Sequence, residues 1–419
     1  MKKSINIIPL ITFIFLIVSC TYQESMNKSI SASEILGNPA YQAFSFGGYR
    51  GKSRDLVPTV EELKEGLRIL SAMNVKVLRT YNTQKYPHAA NLLQAIREMK
   101  QEQDAFEMYV MLGAWIECEG AWTDQRNHEN GHIQSNEAEI KEAIRLAKAY
   151  PDIVKIIAVG NEAMVHWAES YYVSPSVILK WVNHLQELKK DGQLPNELWI
   201  TSSDNFASWG GGDDSYYKEE LNQLISAVDY VSLHTYPYHD THYNPDFWLI
   251  EDDTSLTDIE KIDAAMIRAK NYAIAQYHSA SEYIKRVDSS KQVHIGETGW
   301  ASITNDLYGD EGSRASDEYK QKLYYDHLRE WTNSEGISCF FFEIFDEQWK
   351  DAQNPLGSEN HFGLITLKSE VKYALWELYD QGVFEGLTRN GFAITKSFNG
   401  DKATMMQSVL PPKTIELTE

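Results

Sequence analysis

The chain has 419 residues, with 39 basic and 60 acidic side chains and a formal net charge of −21. Such a balance argues against nucleic-acid binding, which needs clustered Lys and Arg to neutralise phosphates. Hydrophobic residues make up 43% of the chain, and 11 Trp, 24 Tyr and 15 Phe are available for a large core or for binding surfaces. The length is compatible with one large barrel as well as with several smaller domains.

The first 40 residues differ in character from the rest of the chain. Two lysines precede an apolar run at 5–18, which leads into Ser-Cys. This pattern is typical of a bacterial lipoprotein signal, so we expect residues 1–19 to be removed and Cys20 to be lipidated; an uncleaved anchor is the alternative. Residues 20–40 are polar and rich in Ser, and they predict a flexible tether. The sequence thus predicts a protein of the bacterial cell envelope that is anchored to the outer membrane only through its N-terminal lipid and is either periplasmic or surface-exposed.

From residue 41 onward, short apolar runs alternate with segments of helical periodicity. Strands are predicted at 43–46, 75–80, 106–112, 153–159, 198–201, 230–233, 292–295 and 337–345. Helices are predicted between them, for example at 59–73, 137–149, 176–190, 258–286 and 316–333. This alternation indicates an α/β fold with parallel strands, and we expect a (β/α)8 TIM barrel over residues 41–385. An open doubly wound sheet fits the strand count equally well, but its typical glycine-rich phosphate loop is missing from the sequence.

Residues 386–419 are predicted to form a small C-terminal β extension on the barrel. Two strand-like pieces, at 392–395 and 403–409, flank an Asn-Gly dipeptide at 399–400. This dipeptide favours a hairpin turn. The sequence assigns the extension no function.

The cysteines and histidines do not form a metal-binding motif. After lipidation of Cys20, only Cys118 and Cys339 remain, and we expect both to be buried free thiols rather than a disulfide. The nearest metal candidate, His234 with His239, is interpreted as polar lining of a cleft. Neither a metal nor another cofactor is therefore expected.

Two of the predicted strands end in a small polar turn that carries one carboxylate. The first reads Ile-Ala-Val-Gly-Asn-Glu and ends at Glu162; the second reads His-Ile-Gly-Glu-Thr-Gly-Trp and contains Glu297. Since all strands of a barrel end on one face, the two carboxylates are expected to meet there. Such a pair suits glycoside hydrolysis, in which a neutral acid protonates the leaving oxygen and a charged carboxylate attacks the sugar. For either glutamate alone, a structural ion pair would be an equally good interpretation.

Six sequence blocks stand in order along residues 42–380. They are Leu-Arg-Thr-Tyr (78–81), Val-Gly-Asn-Glu (159–162), His-Thr-Tyr-Pro-Tyr (234–238), Gly-Glu-Thr-Gly-Trp-Ala-Ser (296–302), Phe-Glu-Ile-Phe-Asp-Glu-Gln-Trp-Lys (342–350) and His-Phe-Gly-Leu (361–364). Together they resemble glycoside hydrolase family 17, and the fifth block is similar to its bacterial branch, which includes transglycosylases. The resemblance implies hydrolysis or transfer of β-1,3-glucan with net retention, with Glu162 as acid/base and Glu297 as nucleophile. Ala301 stands where the family usually has Pro, beyond the carboxylate.

Polar residues near the two glutamates are expected to bind substrate or to hold a carboxylate. Asn161 would donate a hydrogen bond to the sugar 2-hydroxyl. Arg79 would fix a carboxylate through charge-assisted bonds, although a salt bridge of the barrel is the alternative. Tyr236 would hydrogen-bond Glu297 and keep it ionised. Tyr81, from the first block, belongs to the same predicted set.

Aromatic and charged residues further along the rim are expected to form sugar subsites. The residues are Trp300, Trp349, Glu343 and Lys350, with Trp115 and Trp122 as weaker candidates. The aromatic faces would stack on the apolar faces of β-linked glucose, and the charged pair would contact hydroxyls. The competing interpretation of each aromatic is a place in the core.

The sequence leaves three functions open. The first is a β-1,3-glucanase that acts on laminarin-like glucan, and the second is a β-1,3-glucan transglycosylase. The third is a lipid-anchored glucan-binding protein without turnover, against which the intact carboxylates argue. The expected partner is a β-glucan polysaccharide, and the chain is expected to be monomeric.

Overall fold

The structure is a computed structural model that describes residues 30–251 and 255–415. Within these ranges, eight parallel strands pair in sequence order and close into a barrel. The strands are β1 (Gln42–Ser45), β2 (Val75–Arg79), β3 (Tyr109–Ala114), β4 (Val154–Asn161), β5 (Trp199–Asn205), β6 (Val231–His234), β7 (Val293–Thr298) and β8 (Cys339–Phe341). The prediction of a (β/α)8 TIM barrel is confirmed. The predicted signal sequence and Cys20 lie outside the described residues.

Amphipathic helices surround the barrel. They are α1 (Ala32–Ile35), α2 (Val60–Ala72), α3 (His88–Glu102), α4 (Ile133–Ala149), α5 (Pro175–Lys190), α6 (Glu219–Ala227), α7 (Pro237–Tyr243), α8 (Asp258–Val287), α9 (Glu318–Ser334), α10 (Trp376–Asp380) and α11 (Lys402–Met406). Local sequence explains several of their starts: Thr59 and Thr257 each form a capping box with a glutamate three residues later. The apolar stripes of the longer helices pack on the strands in one continuous core. No helix in the described part of the chain is long and apolar enough to cross a membrane.

The barrel end at which the strands begin is closed by the segment 30–40. Ala32, Ile35 and Leu36 are buried there against inward-facing side chains of the strands. The prediction of a flexible tether as far as residue 40 is therefore wrong for this segment. Its few apolar residues fill the barrel end. The polar composition of the whole stretch gave no indication of this packing.

The C-terminal segment contains short β pieces, as expected. Thr388–Arg389 pairs antiparallel with Phe392–Ala393, and Thr395–Lys396 pairs parallel with Glu370–Val371. A parallel bridge joins residue 414 to Ile250 and ties the chain end to the loop after α7. The C-terminal segment thus consists of short strands and helical turns that pack on the outside of the barrel.

Two details of that segment differ from the prediction. The strand predicted at 403–409 is wrong, because α11 occupies most of it. The side chain of Asp401 accepts hydrogen bonds from the amides of Ala403 and Thr404, which caps a helix start there. The predicted hairpin turn at 399–400 is also wrong, since this turn leads into α11 and not into a paired strand.

Both cysteines of the barrel are free and buried. Cys118 follows β3, and Cys339 begins β8. Burial raises the pKa of the Cys339 thiol to about 11, so this thiol stays protonated. The prediction of buried, unpaired thiols is confirmed.

Candidate active site

The end of β4 delivers Glu162 to the carboxyl-terminal rim of the barrel through an unusual backbone path. Gly160 has φ 82° and Glu162 has φ 46°, both in the left-handed region that residues other than glycine seldom adopt. The amide of Glu162 donates to the carbonyl of Ser203 at 3.0 Å, and the amide of Met164 donates to Asp204 Oδ2 at 2.7 Å. These two bonds to β5 hold the glutamate in its strained conformation.

The end of β7 presents Glu297 from a regular strand. Arg79 Nη1 donates to Oε2 of Glu297 at 2.5 Å, and Tyr81 Oη donates to the same oxygen at 2.8 Å. Tyr236 Oη donates to Oε1 at 2.7 Å. Arg79 Nη2 also donates to Asn161 Oδ1 at 2.5 Å, so one guanidinium links the ends of β4 and β7. The structure thus brings together Glu297, Asn161 and the three residues expected to position them.

The surroundings of the two glutamates drive their pKa values apart. Burial acts to raise the pKa of Glu297, but the charge of Arg79 and the hydrogen bonds from Tyr236 and Tyr81 outweigh it and hold the pKa below its ordinary value. Burial, followed by the negative charge of Glu297, raises the pKa of Glu162 to about 8. Near neutral pH, Glu297 is ionised and Glu162 is protonated. One carboxylate can act as a nucleophile, and the other can donate a proton.

A buried histidine contacts the proton donor. His234 Nδ1 lies 3.1 Å from Glu162 Oε1, and Nε2 lies 2.7 Å from Ser203 Oγ. Burial lowers the pKa of His234 to about 3, so the ring is neutral and one nitrogen donates while the other accepts. This contact orients Glu162 without adding a charge. Sequence reasoning considered His234 only as cleft lining, and its position two residues before Tyr236 at a strand end was the available signal.

Trp300 does not lie in the cleft, which corrects the prediction of a sugar platform at this residue. Its side chain is fully buried, and its Nε1 donates to the carbonyl of Ala315 at 2.8 Å. The ring packs among other core aromatics, including Trp248 and Tyr324. A side chain without exposed surface has no face to offer to a sugar.

Trp349 is partly exposed on the rim near β8. Its Nε1 donates to Glu347 Oε2 at 2.7 Å, and the guanidinium of Arg54 lies 4.3 Å from its ring centroid. The indole is therefore fixed at its edge and covered on part of its face. This position is compatible with the predicted sugar subsite.

Glu343 and Lys350 form an ion pair with an N···O distance of 2.7 Å, and their side chains are 4% and 9% exposed. Burial raises the pKa of Glu343 well above its ordinary value, and the charge of Lys350 opposes that shift. Lys350 Nζ also lies 3.7 Å from the centroid of the Phe342 ring. The two residues are thus partners of each other, and a sugar hydroxyl would compete with this pairing.

The described residues contain no group of three or more His, Cys, Asp or Glu side chains placed to hold a metal ion. A closed (β/α)8 barrel with an ionised and a protonated glutamate on its carboxyl-terminal rim is the architecture of a glycoside hydrolase.

Comparison with known proteins gives the family. A family model described as the BtgE/BtgC glycoside hydrolase domain matches residues 43–363. The chain belongs to this family. The resemblance to family 17 glycoside hydrolases, drawn from the six sequence blocks, is confirmed.

Solved structures and curated proteins include further relatives. An endo-laminarinase from Formosa Hel1_33_131 is 59% identical, with a TM-score of 0.90, over 93% of this chain and 100% of that one. A glycoside hydrolase family 17 beta-1,3-glucanosyltransferase from Rhizomucor miehei, at 16% identity and a TM-score of 0.55, matches 80% of this chain and 96% of its own and shares the fold. The btgC protein of Aspergillus niger is 22% identical over 324 residues, which is 75% of this chain. This chain spans between 40% and 58% of the length of two curated relatives that it matches.

Proposed function

We propose that the protein is a retaining glycoside hydrolase that cleaves β-1,3-glucan of the laminarin type within the chain. The observation that carries the chemistry is the unequal pair of glutamates, one held ionised and the other held protonated. The substrate and the internal mode of cleavage are inferred from the Formosa endo-laminarinase, which is 59% identical and which this chain covers completely.

In the first step, protonated Glu162 gives its proton to the glycosidic oxygen while Glu297 attacks the anomeric carbon. The bond to the leaving sugar breaks, and a covalent glycosyl-enzyme forms at Glu297. Glu162, now a carboxylate, then removes a proton from a water molecule that attacks the same carbon and releases Glu297. Two inversions give net retention. Asn161 Oδ1 is occupied by Arg79, so its amide nitrogen is left to donate to the sugar 2-hydroxyl.

Product analysis tests this proposal. The purified protein is incubated with laminarin, mixed-linkage glucan and cellulose, and the products are sized over time. We expect short oligosaccharides from laminarin, with the β anomer first in the proton NMR spectrum, and no release by Glu297→Gln. Initial release of the α anomer would contradict retention, and the absence of cleavage would contradict hydrolysis.

Transfer to a second glucan chain is the alternative reaction. Aromatic residues beside Glu162 are placed where an acceptor sugar could bind: Trp115 and Tyr171 lie 4.9 Å apart between ring centroids. Oligosaccharides longer than the donor, formed at high donor concentration, would support this alternative. A glucan-binding protein without turnover is the third candidate, and binding of laminarin without cleavage would favour it.

We also propose that a lipid on Cys20 attaches the enzyme to the outer membrane and that the enzyme acts as a monomer. The support for the anchor is the Leu-Ile-Val-Ser-Cys sequence that ends at residue 20. The segment 30–40 packs at the barrel end opposite the glutamates, so attachment there would leave the cleft accessible. Metabolic labelling with a fatty acid, lost in Cys20→Ala, tests the anchor, and light scattering after size exclusion tests the monomer.

A further inference from the structure

Trp122 has two features that are unfavourable for the stability of the fold. Its side chain is 58% exposed, and its φ of 64° lies in the left-handed region. Two hydrogen bonds keep it there: its amide donates to the carbonyl of Ser170 at 2.8 Å, and its Nε1 donates to Glu117 Oε2 at 3.1 Å. A large apolar ring that two hydrogen bonds hold in solvent, on a strained backbone, indicates a functional position.

Trp122 is the outer member of a row of three aromatic rings. Its ring stacks on Tyr171, with centroids 5.3 Å apart and planes at 27°. Tyr171 in turn contacts Trp115, which directly follows β3, with centroids 4.9 Å apart. The row therefore runs along the rim above β3 and β4.

The inner end of this row lies beside Glu162. Strand β3 pairs with β4, which ends one residue before this glutamate. Burial, followed by the negative charge of Glu162, raises the pKa of Tyr171, and the charges of Asp204 and then Glu297 contribute less. The row thus starts at the proposed proton donor and leads away from the proposed nucleophile.

We propose that Trp122 is a stacking platform for the part of the glucan chain that leaves with the cleaved bond. The inference rests on the proposed function, because a residue on the side of the proton donor faces the leaving sugars only if Glu162 is the acid. The exposed indole face matches the apolar face of β-linked glucose, and Glu117 fixes its orientation. Because Tyr171 and Trp115 lie nearer to Glu162, Trp122 holds a sugar beyond the first leaving residue.

Two substrates separate this role from a general effect on catalysis. Laminarihexaose places sugars on both sides of the cleaved bond, whereas 4-nitrophenyl β-laminaribioside has a leaving group too short to reach the platform. For Trp122→Ala in the full chain, we expect kcat/KM to fall about tenfold on laminarihexaose and less than twofold on the aryl donor. Trp122→Phe, which keeps an aromatic face, should retain most of the wild-type kcat/KM on laminarihexaose.

A matched control is Phe392→Ala, which removes an equally exposed aromatic ring (59%) from the C-terminal segment. This variant should cleave both substrates as the wild type does. Equal kcat/KM of Trp122→Ala and wild type on laminarihexaose would overturn the platform, as would equal losses on both substrates. If the wild type cleaves neither substrate, the proposed function itself fails, and the assignment of a leaving side fails with it. Failure of the platform proposal leaves the wild type active, whereas failure of the proposed function does not, so the two can be told apart.

Discussion

The ends of β4 and β7 meet on the same rim but are built in opposite ways. At β7, a regular strand presents Glu297 to three donors, one of which is the guanidinium of Arg79. At β4, a left-handed turn presents Glu162 to a neutral imidazole. Burial raises the pKa of both carboxylates, but the donors at β7 outweigh it for Glu297, whereas the negative charge of Glu297 adds to it for Glu162.

The two glutamates are chemically identical, so their different roles come from the side chains that surround them. A donor with a fixed positive charge stabilises the ionised form, whereas His234 holds the geometry of Glu162 and leaves its protonation free to change. The variants below test that difference, beginning with the largest expected effect.

Glu297→Gln removes the proposed nucleophile and keeps the size and the hydrogen-bonding capacity of the side chain. We expect the initial rate of laminarin cleavage to fall by at least about a thousandfold, because no covalent intermediate can form. Thermal unfolding of the variant is the control for its fold. Activity within tenfold of the wild type would remove Glu297 from the mechanism.

Glu162→Gln removes the proton donor and should show a dependence on the leaving group that Glu297→Gln lacks. We expect a loss of about 100- to 10,000-fold on laminarin, the usual contribution of general acid catalysis. On 4-nitrophenyl β-laminaribioside, formation of the glycosyl-enzyme should be much less affected, because nitrophenolate leaves without a proton. Measurement of the nitrophenol burst checks this step. A burst as strongly reduced as laminarin cleavage would contradict the role of Glu162 as acid.

Tyr81→Phe and Tyr236→Phe each remove one donor from Glu297 and leave the turn at β4 intact. We expect each variant to lose about 10- to 100-fold in kcat/KM, since a hydrogen bond to a charged group stabilises it by about 1.5–3 kcal/mol. The lower pH limb of kcat/KM should also move upward, because the nucleophile becomes easier to protonate. If activity falls but the acidic limb of the kcat/KM profile stays at the same pH, the tyrosines only shape the cleft and do not stabilise the charge of Glu297.

The pH profile of activity depends on the pKa values of both glutamates. Glu297 must be ionised and Glu162 protonated, so activity should fall in acid as Glu297 gains its proton and in base as Glu162 loses its own. In Glu297→Gln the repulsion by the negative charge is gone, and the pKa of Glu162 should fall below its wild-type value. Carbon NMR of the labelled glutamate carboxyl measures this pKa directly. An unchanged pKa would show that burial alone raises it.

Much of the barrel and of the reacting pair could be predicted because the signals are local. A β-branched run that ends in a small turn with one carboxylate marks a strand end, and closure of the barrel then brings Glu162 and Glu297 to one rim. The residues next to them in sequence, such as Asn161, follow the same rule. Arg79 and Tyr236 could be placed because they too stand at or just after the ends of strands.

Other features could not be predicted because they depend on contacts between distant segments. Trp300 follows Glu297 closely in sequence, yet the carbonyl of Ala315 binds its indole and turns the ring into the core. His234 contacts Glu162 at the left-handed turn that ends β4, and no single residue type in the sequence predicts that turn. The segment 30–40 fills the barrel end because its buried side chains pack against apolar residues contributed by several strands.

Trapping of the covalent intermediate tests the central claim most directly. A 2-deoxy-2-fluoro-β-laminaribiosyl fluoride slows the breakdown of a glycosyl-enzyme more than its formation, so an intermediate accumulates. Mass spectrometry of the intact protein, followed by peptide mapping, locates the sugar. We predict one 2-deoxy-2-fluorolaminaribiosyl group on the peptide that contains Glu297, and no such group on the Glu297→Gln variant. A sugar on Glu162 would contradict the assignment of the two glutamates, and an unmodified enzyme that still cleaves laminarin would contradict the covalent mechanism.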